Sequence, residues 1–129
     1  MTIPHSLDGF DVRAAVARML DQPGLWWQAL GLFVEHFSAW EQAWQASIGD
    51  DAQECRKVHA VGSAAANVGA VRLASSAAAV EQGLRERLAG RAAEELEAAR
   101  RQLQADFRQS WQAAADAWRA NTPGPGGHA

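Results

Sequence analysis

Apolar residues along this chain recur at three- and four-residue steps, the spacing that is typical of amphipathic helices. The clearest case is the segment from about Pro23 to Ser47, which predicts one long aromatic helix with a single stripe in the core. The stripe consists of Trp26, Leu30, Phe33, Val34, Phe37, Trp40, Trp44 and Ile48. Trp27 falls off the stripe, and two placements are open for it: against a short first helix or in a partner-facing groove.

Four other segments carry a helical pattern, and turn residues separate them. Asp11 is suited to cap a short first helix, and Asp50 or Asp51 is suited to cap the helix that follows the aromatic one. The predicted segments are Val12–Leu20, Asp51–Ala70, Ala70–Leu88 and Arg91–Ala120. The last two carry near-heptad stripes joined by a short loop, which predicts an antiparallel hairpin. Abundant alanine and the near absence of β-branched runs also indicate an all-α fold.

The 129 residues are enough for one helical domain, which we assign to residues 1–121. The segment from Thr122 to Ala129 contains Pro-Gly-Pro-Gly-Gly and is predicted to be a disordered tail. The 12 Lys and Arg residues are scattered and outnumbered by 15 Asp and Glu, which gives a net charge of −3. This balance argues against nucleic acid as a partner, because nucleic acid favours a basic face.

The sequence gives no sign of export, of a membrane span or of a metal centre. The single cysteine excludes an internal disulfide, and no Cys or His spacing is typical of zinc. Residues 1–20 lack the basic-then-apolar pattern of a secretory signal, and no apolar run approaches the roughly 18 residues of a membrane span. We therefore expect a soluble, cytoplasmic protein.

Candidate chemistry lies in the segment Asp51–Ala70, at His59. The core stripe of this segment consists of Val58, Val61, Ala65 and Val68. His59 lies about 100° round the helix from Val58, at the edge of the stripe, where we expect an exposed imidazole. Such a ring is largely neutral at cellular pH, and one nitrogen keeps a free lone pair, so it can act as a nucleophile or ligand.

Small side chains surround His59 on its helix face. Its neighbours one and two turns away are Cys55, Arg56, Gly62, Ser63 and Ala66. Gly62 costs about 1 kcal/mol relative to alanine in a helix. We expect this glycine to allow the close approach of another molecule beside the imidazole.

From His59 onward the sequence resembles the signature helix of the histidine-containing phosphotransfer (HPt) domains of bacterial phosphorelays. That signature runs roughly His-x-Leu-Lys-Gly-Ser/Ala-Ala-x-Asn-Ile/Leu-Gly-Ala, with a closing Leu-Glu further on. The matching residues are His59, Val61, Ala64, Ala65, Asn67, Val68, Gly69, Ala70, Leu73, Val80 and Glu81. The match is colinear and has no gap, and with the upstream pattern the resemblance covers about residues 7–118. It implies an antiparallel up-down four-helix bundle with a short extra N-terminal helix that caps one end.

Two departures from the HPt pattern lie beside His59. Gly62 stands where the family usually has lysine, and Ser63 stands where it usually has glycine. The lysine charge would act on the phosphoryl group, so its loss predicts slower transfer unless Arg56 substitutes for it; Gly62→Lys is expected to accelerate transfer. The resemblance implies that His59 is the phosphoacceptor. The residues expected to support it or to contact a partner are Cys55, Arg56, Gly62, Ser63, Ala66 and Asn67.

The leading hypothesis is a histidine phosphocarrier with no catalytic activity of its own. His59 would accept a phosphoryl group from the phospho-aspartate of a receiver domain and pass it to another receiver. The expected partners are response-regulator receivers and a hybrid sensor histidine kinase, with the protein acting as a monomer. No cofactor is expected on this chain, because Mg²⁺ would belong to the acidic site of the receiver.

Two alternatives remain open. The chain could be a degenerate HPt-like interaction module that binds a receiver or kinase without being phosphorylated, which the missing lysine favours. Cys55 and His59 could instead act as a nucleophile and base, since their i, i+4 spacing permits contact. No third group that would orient the base is evident from the sequence.

Overall fold

The computed structural model describes residues 2–121, and within that range the chain forms six α-helices and no strand. We number them α1 (Val12–Arg18), α2 (Pro23–His36), α3 (Trp40–Ser47), α4 (Asp51–Val68), α5 (Val71–Leu88) and α6 (Leu96–Asn121). The prediction of an all-α fold is therefore confirmed. The predicted disordered tail, residues 122–129, lies outside the described residues.

The helix ends follow the capping residues of the sequence. Asp11 caps α1, and its Oδ1 accepts a hydrogen bond from the backbone N–H three residues on at 3.0 Å. Of the two candidate caps for α4, Asp50 makes the equivalent bond at 3.1 Å, and Asp51 is the first helical residue. Gly69 ends α4 with φ of +85°, a left-handed conformation that glycine adopts without steric cost.

The single helix predicted from Pro23 to Ser47 is wrong, because residues 37–39 divide it into α2 and α3. In this break the Ser38 hydroxyl donates to the carbonyl of Glu35 at 3.2 Å, a local bond that competes with helical pairing. The indole N–H of Trp40, which begins α3, donates to the backbone carbonyl of Lys57 on α4 at 2.9 Å. A buried indole usually has such a partner, although that of Trp27 has none among the described residues, and the break turns α3 toward α4.

The last helix begins five residues later than predicted, at Leu96 rather than Arg91. Gly90 has φ of +83°, and the backbone N–H of Arg91 donates to the carbonyl of Glu86 at 2.8 Å. The Arg91 guanidinium also pairs with the Glu86 carboxylate. These bonds hold Arg91, three residues after α5, to the last turn of that helix, so it does not begin the next helix.

The aromatic stripe forms most of one side of the core. Its buried members are Trp26, Leu30, Phe33, Val34, Trp40 and Trp44. Phe37 is only half-buried, since it lies in the break. Ile48 is 38% exposed, contrary to the prediction, because it follows the last residue of α3 and has an extended backbone.

Trp27 is buried, with only 3% of its surface exposed. Its ring packs against Trp26 of the same helix and against Trp118 of α6, where the ring centroids are 5.0 Å apart. The interpretation of Trp27 as part of a partner-facing groove is therefore wrong. Its placement against the first helix stays a prediction, and α6 supplies an aromatic neighbour that the sequence did not predict.

A buried ion pair joins three helices below the histidine. Glu54 on α4 is fully buried and accepts hydrogen bonds from Arg100 on α6, at 2.6 and 3.0 Å, and from the indole of Trp44 on α3, at 3.0 Å. The bonds to Glu54 raise the pKa of the Arg100 guanidinium above its ordinary value. This network fixes α4 one turn before His59.

The helices α4 and α5 form a closely packed hairpin that carries the candidate site. Gly69 makes the reversal at one end, and at the other Arg87 of α5 donates to both carboxylate oxygens of Asp51, at 2.6 and 2.9 Å. These bonds hold the pKa of the Asp51 carboxyl below its ordinary value. In this hairpin α4 packs against α2 and α3, and α5 packs against α6.

Candidate functional site

His59 lies on the outer surface of α4, and 62% of its side chain is exposed. Its position follows from the helical period, because the four residues of the core stripe are all buried: Val58, Val61, Ala65 and Val68. A residue next to Val58 in sequence is turned about 100° away from that buried side. The imidazole is therefore open to solvent at the edge where α4 meets α5.

Glu81 of α5 binds the inner nitrogen of the imidazole. The Nδ1 atom of His59 lies 3.1 Å from Oε2 and 3.2 Å from Oε1 of Glu81. An ionised carboxylate can only accept hydrogen bonds, so we assign the proton of the neutral imidazole to Nδ1. The Nε2 atom then carries the lone pair, and it is the nitrogen that points away from α5.

The carboxylate that holds His59 is itself held by an arginine. Glu81 has only 16% of its side chain exposed, and its Oε2 pairs with the guanidinium of Arg85 one turn later on α5. Arg85 is largely exposed and balances the charge of this carboxylate. Three side chains thus form a chain of contacts in the order Arg85, Glu81 and His59.

Ser63 is the polar group nearest to the outer nitrogen of the ring. Its Oγ lies 3.5 Å from Nε2 of His59, which is the outer limit of a hydrogen bond. Ser63 follows His59 by four residues, so the two side chains share one face of α4. The hydroxyl is exposed along with the imidazole.

The sequence analysis predicts that Gly62 makes room for an incoming molecule. In the structure, the position of its missing side chain faces α5. A Cβ atom at position 62 would lie 3.1 Å from the Cβ of Ala77, which is closer than ordinary side-chain contact. The reason for this glycine is therefore the close approach of two helices of the same chain. A lysine at this position would require Ala77 to shift by a few tenths of an ångström, and the acceleration of transfer by Gly62→Lys stays a prediction.

The other predicted supporting residues are spread over different surroundings. Cys55 is half-buried and packs against the core, while Arg56 is exposed and forms no ion pair with any residue in the described range. The carbonyl of Ala66 accepts a hydrogen bond from Arg18 of α1 at 2.8 Å. Asn67 lines a shallow groove between α4 and α2, away from Glu81. None of these four residues bonds to the imidazole, and their role in contacting a partner stays a prediction.

Glu81 and Arg85 are site residues that sequence reasoning did not identify, although Glu81 occurs in the matched motif. The signal lies in the reversal at Gly69. His59 is ten residues before that glycine and Glu81 is twelve residues after it, so an antiparallel hairpin brings them side by side. Finding the contact required the register of the hairpin, which depends on the packing at Gly62.

Two further properties of the described residues bear on the type of site. Across residues 2–121, His, Cys, Asp and Glu side chains form no group of three or more that could hold a metal ion. Within the same part of the chain, no helix is both long and apolar enough to cross a membrane.

Comparisons with known proteins add no relative to this picture. No family model, curated protein or solved structure matches the chain. The resemblance to HPt domains therefore depends on the motif, and the function has to be inferred from the chemistry of His59 and its neighbours.

Proposed function

We propose that this protein is a histidine phosphocarrier in a two-component phosphorelay. In this proposal, Nε2 of His59 accepts a phosphoryl group from the phospho-aspartate of one receiver domain and passes it to another. The observation that carries the proposal is the hydrogen bond of Nδ1 to Glu81, which leaves the exposed Nε2 as the nucleophilic nitrogen.

The proposed transfer requires no proton movement at the ring. The Nε2 lone pair forms the nitrogen–phosphorus bond, and the phosphorus–oxygen bond of the acyl phosphate breaks, with its electron pair going to the receiver carboxylate. The ring gains positive charge while it keeps the proton on Nδ1, and the Glu81 carboxylate stabilises that charge. In the second transfer a carboxylate oxygen of the other receiver forms a bond to phosphorus, and the electron pair of the nitrogen–phosphorus bond returns to Nε2. Positioning and electrostatics supply most of what such a reaction needs.

The packing of the helices supports an HPt-like arrangement. If α2 and α3 are counted as one unit, four helical units are present. Each unit contacts the next in the order α2–α3, α4, α5 and α6, and α6 contacts α2 again. The short α1 contacts α2 and α4, where a capping helix is expected. We infer from these contacts an antiparallel up-down four-helix bundle with α1 across one end.

A cation for the phosphoryl group would come from an arginine. Arg56 lies one turn before His59 and makes no ion pair within the described residues, so its guanidinium is available to move. Arg85 is already engaged by Glu81. The proposal retains Arg56 as the substitute for the absent lysine. Receiver domains and a hybrid sensor kinase in the cytoplasm are the partners it implies, with Mg²⁺ on the receiver.

A second candidate is a binding module that carries no phosphate. The groove between α2 and α4 favours it, because Leu32 is 53% exposed there beside Ala29 and Asn67. A receiver or kinase could dock on this apolar surface whether or not His59 reacts.

The test is phosphoryl transfer from receiver domains that carry labelled phospho-aspartate. We expect acid-labile, base-stable label on the wild-type protein and on His5→Gln, an exposed histidine before α1 that serves as the matched control. We expect no label on His59→Gln, because a glutamine amide is not a nucleophile. Binding to receivers without label on the wild type would favour the second candidate. Label on His59→Gln would contradict both.

A further inference from the structure

Ser63 is the one polar side chain that contacts the reactive side of the imidazole within the described residues. Its Oγ lies 3.5 Å from Nε2, whereas Glu81 contacts Nδ1. A serine inside a helix commonly bonds to the carbonyl four residues earlier, but this hydroxyl points to the ring of the residue at that position. The contact is long, so it holds the free imidazole only weakly.

The direction of the hydrogen bond follows from the tautomer. With the proton on Nδ1, the Nε2 atom can only accept, so the Ser63 hydroxyl is the donor. A phosphoryl group bonded to Nε2 would extend beyond the ring into the space that this hydroxyl faces. Its oxygens are charged and accept hydrogen bonds more strongly than a neutral imidazole nitrogen does. The hydroxyl would therefore bind the phosphorylated state better than the free state.

Within the described residues Ser63 alone contacts Nε2, while Arg56, which makes no contact with the ring, would supply only a charge. Position 62, where a lysine would be expected to contact the phosphoryl group, is a glycine packed on Ala77. The Arg85 guanidinium is bound to Glu81 on the opposite side of the ring. Ser63 in turn is fixed on the same rigid helix as His59, so its hydroxyl needs only to rotate.

We propose that Ser63 is a phosphoryl-binding residue, whose hydroxyl donates a hydrogen bond to an oxygen of the phosphoryl group on Nε2 of His59. The proposal rests on the proposed function and adds a donor that the HPt pattern does not contain at this position. Because the hydrogen bond is stronger in the phosphorylated state, it prolongs the life of the phosphohistidine. It also shifts the equilibrium of transfer toward His59.

The experiment loads the full chain with phosphoramidate, a small phosphodonor that requires no receiver. The lifetime of the phosphohistidine is then followed by ³¹P NMR in wild type, Ser63→Ala, Ser63→Thr and Ser75→Ala. Ser75 is an exposed serine of α5 on the side toward α6, and it is the matched control. Ser63→Ala is expected to shorten the lifetime about three- to tenfold, less than is usual for a hydrogen bond to a charged group, because the site is exposed. Ser63→Thr and Ser75→Ala are expected to keep the wild-type lifetime.

Transfer from a receiver gives a second measurement. Ser63→Ala should lower the amount of phosphoprotein at equilibrium by a similar factor and leave the KM for the receiver unchanged, since docking is not altered.

Each outcome separates the two proposals. Equal lifetimes in Ser63→Ala and wild type, or equal shortening in Ser75→Ala, would overturn the role of Ser63 alone. A wild-type protein labelled by phosphoramidate but by no receiver would overturn the phosphorelay function, while the lifetimes still decide the role of Ser63. Failure of both phosphoramidate and phosphorylated receivers to label His59 would overturn both.

Discussion

At the scale of single residues, the carboxylate of Glu81 determines what His59 can do. An exposed imidazole on its own exchanges its proton between two nitrogens, and either nitrogen can react. The contact with Glu81 at 3.1 Å favours one tautomer and places a negative charge beside the nitrogen that remains protonated. The guanidinium of Arg85 pairs with Oε2 of the same carboxylate and compensates its negative charge.

Replacing this carboxylate with an amide tests its role. Glu81→Gln should slow phosphorylation of His59 about tenfold, because a neutral amide stabilises the positive ring less and can also donate to Nδ1. The measurement is the initial rate of labelling, together with the ¹⁵N shifts of the imidazole, which report the tautomer.

Glu86→Gln is the matched control for that experiment. Glu86 lies on the same helix and also pairs with an arginine, Arg91, but does not contact His59. His59 in the Glu86→Gln variant should be labelled at the wild-type initial rate. Equal rates for Glu81→Gln and the wild type would show that the carboxylate is not needed.

At the scale of elements, glycines mark where helices touch. Gly31 of α2 is buried against the ring of Trp118 on α6, and a Cβ atom there would lie 2.5 Å from the ring. The same indole lies at a tilted angle against Trp27, with the ring centroids 5.0 Å apart. The register of α2 against α6 therefore depends on the absence of a single methyl group.

Gly31→Ala is accordingly expected to destabilise the protein by about 1–3 kcal/mol, the usual cost of overpacking, even though alanine is the better helix former. Gly24→Ala in the same helix is the control, since no described atom lies within 4 Å of a Cβ at that position. Gly24→Ala should cause no loss of stability. The free energy of unfolding in urea measures both, and equal values for the two variants would contradict the packing described for Trp118.

The sequence predicted most of the helices because their signals are local. The caps at Asp11 and Asp50, the reversal at Gly69 and the buried stripe of α4 all act within a few residues. The break at residues 37–39 could not be predicted in this way. It depends on indole N–H groups of α3 that find their partners on α4, and a helical period carries no information about such partners.

The residues of the candidate site also fall into two groups, those that a local pattern predicts and those that depend on the packing of helices. His59 and Ser63 are four residues apart on one helix, so a periodic pattern is enough to bring them together. Glu81 reaches the imidazole from α5, with Arg85 paired to its carboxylate, and only the packed hairpin brings them there. Asn67 matched the motif but turns toward α2, because its position on the helix is too far round from His59.

At the scale of the whole molecule, the buried pair of Glu54 and Arg100 ties α4 to the far side of the protein. The long α6 reaches it through Arg100, and α3 reaches it through the indole of Trp44. A buried pair of this kind adds little stability over a well-packed apolar core. Loss of one partner is costly, because a charge is then buried alone.

Arg100→Met should therefore lower the free energy of unfolding by about 3–5 kcal/mol. Arg101→Met is the control, since this exposed neighbour makes no ion pair with the described residues. Its effect should stay within about 0.5 kcal/mol. A small effect for Arg100→Met in chemical denaturation would mean that Glu54 finds another partner or becomes neutral.

The tight contact between Gly62 and Ala77 has a consequence beyond packing. It sets the spacing of the two helix axes at the level where the imidazole and its carboxylate meet. A larger side chain in place of Ala77 would not touch His59 or Glu81. It would push the two helices apart and so lengthen the hydrogen bond between the imidazole and the carboxylate. In the proposed carrier, the packing of Gly62 on Ala77 would therefore influence the reactivity of His59 without involving any residue that takes part in the transfer.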